Sequence, residues 1–347
     1  MEHCTQCGSK LPSARDAFCQ HCGSKIELVP IPMTSDPDDR EGPSDIALSR
    51  GDARSTARIF LENAHLGLTD QWRWILGALI VITIQASFVP FGPAFRMSEY
   101  IVDTKTPELR YFVALNLGFI AALIGVWLVV KLLHNKSLTQ TVTGRRTFDY
   151  NRVMYAIGMG ILVNLVALII GLLFFSADVK LEAQSGSVFL TFFFLAIILT
   201  PFQAALEEIV FRGYITQGLS LATRRRLILV IVPSLFFMLI HITTAKEMGD
   251  WFIPYMFYIT MLGMVFSAYT LLDGGIELAV GYHAAHNLWV FFFEGGGVFA
   301  PLSLFDISRE VSLGEPFLIP LTLFFVFSYK YQWFSWRGSL DKLRRNL

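Results

Sequence analysis

The sequence predicts an all-α fold: a polytopic bundle of about eight membrane-spanning helices, preceded by a small zinc ribbon. Three observations carry this. Hydrophobic residues make up 54% of the 347-residue chain, charged residues only 16%, and mean hydropathy is +0.51. The apolar residues gather into runs near the ~20 residues that a helix needs to cross about 30 Å of hydrocarbon. The four cysteines, Cys4, Cys7, Cys19 and Cys22, all lie ahead of those runs, as two C-x-x-C pairs. The formal net charge is zero, so no general electrostatic case arises for nucleic acid as a partner.

Residues 1–28 form the Cys-rich module. Each C-x-x-C makes a tight knuckle with two sulfurs aimed at one ion, and two knuckles complete a closed, structural zinc site. A module this short cannot bury enough core without such a staple. Disulfides or idle thiols are the alternative, and a cytoplasmic N-terminus disfavours disulfides. The ribbon's protein partner is not written in the sequence. Residues 29–57 are rich in Pro, Asp, Ser, Gly and Arg, the composition of a disordered linker. From Arg58 to about residue 70 the pattern gives a weak signal for a short interfacial helix. No N-terminal signal peptide is expected, because the first apolar stretch begins only near Trp74.

The membrane part is expected over residues 58–347. Its apolar segments run over about 73–91, 111–133, 153–175, 188–210, 227–243, 252–272, 276–293 and 316–334. The fifth and seventh are short, and runs of that length also suit buried core helices. Trp72, Trp74, Trp251, Trp333 and Trp336 fall at span ends, as an aromatic belt would place them. Lys136, Arg145, Arg146 and Arg152 follow the second span, Arg224–Arg226 the fourth, and Arg337, Lys342, Arg344 and Arg345 the last. Positive residues favour the cytoplasmic side, so both termini are expected there, in a multi-pass protein of the cell membrane. Two places fit poorly. Arg96, Lys105 and Arg110 lie on the outer side, and the tight inner loop after the sixth span holds only acids, Asp273 and Glu277.

Three polar motifs interrupt the apolar segments: Glu207-Glu208…Arg212, Phe237…His241 and His283-Ala284-Ala285-His286-Asn287. A charge near the bilayer centre costs roughly 2.5–3.5 kcal/mol on insertion scales, so such residues usually face a bundle interior or a wet cavity. Glu208 and Arg212 are at i,i+4 and share a helix face. Glu207 diverges from Glu208 by about 100° and has Gln203 one turn before it. One carboxylate therefore reads as structural and the other as reactive. His283, His286 and Asn287 share a face of the seventh segment. Each motif alone also fits a bland role: a span end with a snorkelling arginine, an interfacial histidine, or polar packing between helices. Together they hold a carboxylate base, imidazoles for proton transfer or metal ligation, and a carboxamide donor for an oxyanion, which water attack on an amide requires.

In type, order and spacing the three motifs resemble the E-E-x-x-x-R, F-x-x-x-H and H-x-x-x-N/D motifs of the CAAX protease and bacteriocin-processing (Abi) family. The resemblance covers roughly residues 110–293, about half the chain. It implies an eight-helix membrane fold and a glutamate-dependent intramembrane endopeptidase. In that reading Glu207 and His241 activate water, His283 and Asn287 stabilise the oxyanion, and Glu208 with Arg212 hold the site's shape. His286 takes an auxiliary part. Substrates would be membrane-associated proteins or peptides, lipidated ones among them. A catalytic metal is left open, with no H-E-x-x-H to argue for one. No G-x-S-G or G-x-G-D motif supports a serine or aspartyl intramembrane protease. The competing class is a non-catalytic membrane protein: an immunity or scaffold protein, or a proton-coupled transporter. One geometric conflict remains at this stage. Counted along the segments, His241 lies deep, whereas Glu207 and His283 lie near the inner surface, a mismatch of about two turns.

Overall fold

In the computed structural model the described residues are 53–88, 93–102, 106–174, 178–181, 186–294, 302, 305–308 and 315–334. The zinc-ribbon cysteines and most of the linker lie outside them. The helices are α1 (Ala53–Glu62), α2 (Gln71–Phe88), α3 (Pro93–Ile101), α4 (Pro107–Leu128), α5 (Leu138–Val142), α6 (Tyr150–Phe174), α7 (Gly186–Glu208), α8 (Thr216–Ser220), α9 (Arg226–Ile240), α10 (Ile242–Glu247), α11 (Phe252–Asp273), α12 (Glu277–Trp289) and α13 (Glu315–Lys330). Each of the eight apolar segments is a helix. α4, α7 and α12 run on into π-helical turns at Val129–Leu133, Ile209–Ile215 and Val290–Glu294. Two short strands, β1 (Asp178–Leu181) and β2 (Phe305–Ser308), pair antiparallel and tie the segment after α6 to the one before α13.

By length and composition four helical stretches suit a bilayer: Pro107–Leu133, Tyr150–Phe174, Ser187–Ser220 and Gly249–Asp273. Arg226–Ile240 and Leu318–Lys330 are apolar but shorter. Leu173, Phe174, Phe194 and Ile198 stand more than half exposed along α6 and α7, an apolar surface that lipid covers and water would not tolerate. α12 sits at the centre, packed against α6, α7 and α11, with Leu278, Ala279, Ala284 and Ala285 fully buried. Small residues let α6 and α12 approach closely: a Cβ on Gly281 would meet the Val153 carbonyl oxygen at 2.3 Å.

The turn between α11 and α12 is a clamp. Gly274 takes φ 77° and closes α11 through its N–H on the Thr270 oxygen, a left-handed cap that glycine adopts without steric cost. Ile276 N–H then donates to Val142 O, and Thr143 bridges Gly275. The two acids of this loop are answered by the preceding loop. Arg145 reaches Asp273 Oδ2 at 2.8 Å and Glu277 Oε2 at 3.2 Å. Arg152 pairs with Asp273 Oδ1, which also accepts from Trp333 Nε1. Both acids of the loop are therefore paired with cationic side chains.

Three expectations are corrected. α1 begins at Ala53, inside the stretch assigned to the linker, because Phe60 is fully buried against Leu229 and Leu271. Trp74 and Trp333 are no aromatic belt: they are 6% and 3% exposed. Trp74 packs on His134 and Tyr214. Trp72 and Trp251 are 54% and 51% exposed, as a belt requires. The fourth apolar segment does not end near residue 210 but continues helically to Ser220.

Candidate active site

The three motifs meet. α7 carries Glu207 and Glu208, its π-turn carries Arg212, α9 ends at His241 and α12 carries His283. The longer fourth helix removes the depth conflict. Thirteen residues separate Glu207 from Ser220 and fifteen separate His241 from Arg226, about 20 Å and 22 Å of helix. Both therefore lie at one level. His283 stands only six residues from Glu277, but Glu277 is itself buried in the clamp.

Glu208 and Arg212 are both fully buried and pair at 3.0 Å across one turn. Arg212 also donates to the Gly263 carbonyl at 3.1 Å, and its guanidinium lies 4.3 Å from the Phe237 ring centre. A buried ion pair needs such extra bonds to offset its desolvation. His283 Nδ1 lies 2.7 Å from Glu208 Oε1. A carboxylate only accepts, so Nδ1 carries the proton. That turns His283 Nε2 toward Glu207 Oε2, at 3.6 Å. The imidazole stacks on Phe266 at 5.0 Å.

Glu207 is 6% exposed and its Oε2 has no hydrogen-bond partner. The i,i+4 pairing of Glu208 with Arg212, and the absence of such a partner for Glu207, are as the spacing implies. His241 caps α9 and bonds the Phe237 carbonyl through Nδ1 at 2.8 Å. That contact makes Nδ1 the donor and leaves Nε2 with its lone pair. Glu207, His283 and Arg212 all act electrostatically on this ring. His286 turns to α11 instead, with Nε2 3.1 Å from Tyr258 Oη. Asn287 lies one turn beyond His283 on the same helix and is half-buried. It forms no side-chain hydrogen bond among the described residues.

Phe266, Gly263 and Tyr258 also shape the site, and the sequence carried no signal for them. One Phe among 31 and one Gly among 26 do not stand out, and Tyr258 lies in no motif. Among the described residues no three His, Cys, Asp or Glu converge as ligands of one ion would.

Glu207, Glu208, Arg212, His241, His283 and Asn287 all fall within one segment that can be compared with known proteins. Residues 187–289 match the family model of the type II CAAX prenyl endopeptidase, Rce1-like. The match spans α7 to α12 and so contains all three motifs. The chain is also similar to the uncharacterized protein YyaK of Bacillus subtilis (strain 168). The two are 25% identical over 224 residues, which is 64% of this chain and 72% of that protein. No solved structure matches the chain. The Rce1-like match implies a protease, and with the four long apolar helices it marks a membrane protein.

Proposed function

We propose that this protein is an intramembrane endopeptidase that cleaves membrane-associated proteins or peptides, lipidated ones among them, with Glu207 as its base. One observation carries the reading: a buried carboxylate oxygen without a partner stands beside an imidazole whose far nitrogen is already fixed by a second carboxylate. Glu207 takes a proton from water while His241, through Nε2, holds that water in place. The oxygen attacks the scissile carbonyl carbon. The Asn287 carboxamide donates to the oxyanion that forms, and His283 helps to stabilise it from beside Glu207. Glu207 then hands its proton to the departing amine as the C–N bond breaks. Glu208 and Arg212 fix the tautomer and position of His283, and His286 with Tyr258 supports α12 from the far side.

The same proposal has eight spans, both termini in the cytoplasm and a bilayer as the protein's setting. Cys4, Cys7, Cys19 and Cys22 hold one structural zinc in a ribbon that engages a protein partner.

The test uses the full chain in detergent and a fluorogenic S-farnesylated peptide. Glu207→Gln should lower kcat by about 10²–10⁴, the usual worth of a general base, at an unchanged melting temperature. Undiminished turnover removes Glu207 from the mechanism. A wild type that cleaves nothing favours an immunity, scaffold or transport protein. The preparation should also hold one zinc, lost on double substitution Cys4→Ser and Cys19→Ser. Zinc retained by that variant would move the metal to the intramembrane histidines.

A further inference from the structure

Glu207 is not alone in lacking a partner. Thr200 is fully buried and its Oγ1 makes no hydrogen bond, and the buried Gln203 Oε1 makes none either. Thr200, Gln203 and Glu207 lie within about 60° of one another around α7. They form a line of unmet acceptors leading away from the carboxylate. The threonine is the clearest sign. Thr191, Thr260, Thr270 and Thr322 each return their hydroxyl to the carbonyl four residues earlier, the normal outlet in an apolar helix. Thr200 does not. On the neighbouring α4, Asn116 is buried with its Oδ1 unpartnered. α4 and α7 pack through Phe112 and Phe192, 5.1 Å between ring centres, and Asn116 follows Phe112 by one turn.

A buried polar atom left without a bond is costly to folding. Two along one helix face, contiguous with the candidate base, suit a ligand that donates hydrogen bonds. Gln203 and Glu207 are four residues apart, a rise of about 6 Å. Amides on one edge of an extended peptide recur every two residues, about 6.7 Å. We infer that Gln203 and Thr200 bind the main-chain N–H groups of an extended substrate and set which peptide bond lies over Glu207. This rests on the peptidase reading above. It makes both side chains positioning residues, not catalytic ones.

The test uses full-length Glu207→Gln protein in detergent, so that binding is read without cleavage. The probe is a fluorescein-labelled S-farnesylated peptide, together with copies N-methylated at one amide each. With Gln203 in place, one methylated position should weaken binding about tenfold, the scale of one lost hydrogen bond. With Gln203→Leu added, that position should lose its effect, and Thr200→Val should do the same at the neighbouring amide. Neither variant should melt below its parent, since each removes an unmet polar group. Methylation effects that are equal in both backgrounds overturn the inference, because they indicate that the stripe serves water. A lowered melting temperature also overturns it, because it indicates a structural role. Should the coupling hold while wild-type protein leaves the parent peptide uncut, the proteolysis reading fails and this one stands. If no peptide binds, both fall.

Discussion

Two buried ionic clusters share α12, six residues apart, and they are satisfied to different degrees. In the clamp, Asp273 and Glu277 face Arg145 and Arg152, and all four carboxylate oxygens have partners. Arg145, Arg152 and Trp333 hold Asp273, while Arg145 and the Asp149 N–H hold Glu277. In the candidate site, Glu207 and Glu208 face one guanidinium and one imidazole. Glu207 Oε2, Glu208 Oε2 and Arg212 Nε are buried without hydrogen bonds. The first cluster has closed the bonds of all its carboxylate oxygens, with Arg152 Nε its one unmet atom, and fixes a turn. The second keeps bonds in reserve, each at about 1–3 kcal/mol, and folding alone gives no reason to retain that strain. The contrast separates structural from reactive charge more sharply than burial does, since Asp273, Glu277 and Glu208 are all fully buried.

The comparison can be broken most directly at Asp273. Asp273→Asn leaves Arg145 and Arg152 without their shared carboxylate, and losing one partner of a buried pair costs roughly 3–5 kcal/mol. The melting temperature in detergent should fall by many degrees, whereas Glu207→Gln should leave it unmoved. Equal stability of the two variants would erase the distinction.

A smaller effect sharpens the same point at Lys136, a buried charge with no carboxylate partner among the described residues. Its ammonium donates to Gln217 Oε1 at 2.8 Å and to the Asn63 carbonyl at 3.0 Å, over the Trp74 ring. Burial lowers its pKa from 10.5 to about 7. The unfolded chain keeps the proton up to 10.5, so the folded state binds fewer protons between these values and stability rises with pH across that window. Below 7 the full penalty applies. Burial also pushes His134 down, adding a loss of the same sign on further acidification. Thermal scans should show the melting temperature climbing from pH 7 to 9. Lys136→Met should flatten the climb, and an unchanged slope would show that other groups carry it.

The apolar segments and the three motifs were legible because period, length and spacing are local properties. The Glu208–Arg212 pair followed from i,i+4 geometry alone. The end of the fourth helix did not. Arg212, Thr216 and Gln217 look like a polar boundary, yet all are buried. Gln217 bonds Phe60 O and Gln140 O, and Tyr214 bonds His134. Those partners lie about 70–160 residues away, so only the tertiary fold makes polar side chains tolerable there. The same cause hid the clamp: Asp273 and Glu277 looked misplaced until Arg145 and Arg152, over 120 residues earlier, closed on them. Trp74 and Trp333 misled similarly, since an indole at a span end looks the same in sequence whether it faces headgroups or a buried acid.

The unbroken run of helix from Glu207 to Ser220 also acts as a ruler. It sets the carboxylate about 20 Å from that helix end. A chain entering from that side and lying extended gains about 3.3 Å per residue, so its first six residues or so lie beyond the reach of Glu207. Peptides trimmed below that length should bind without ever presenting a bond, and the products left behind should share a minimum tail.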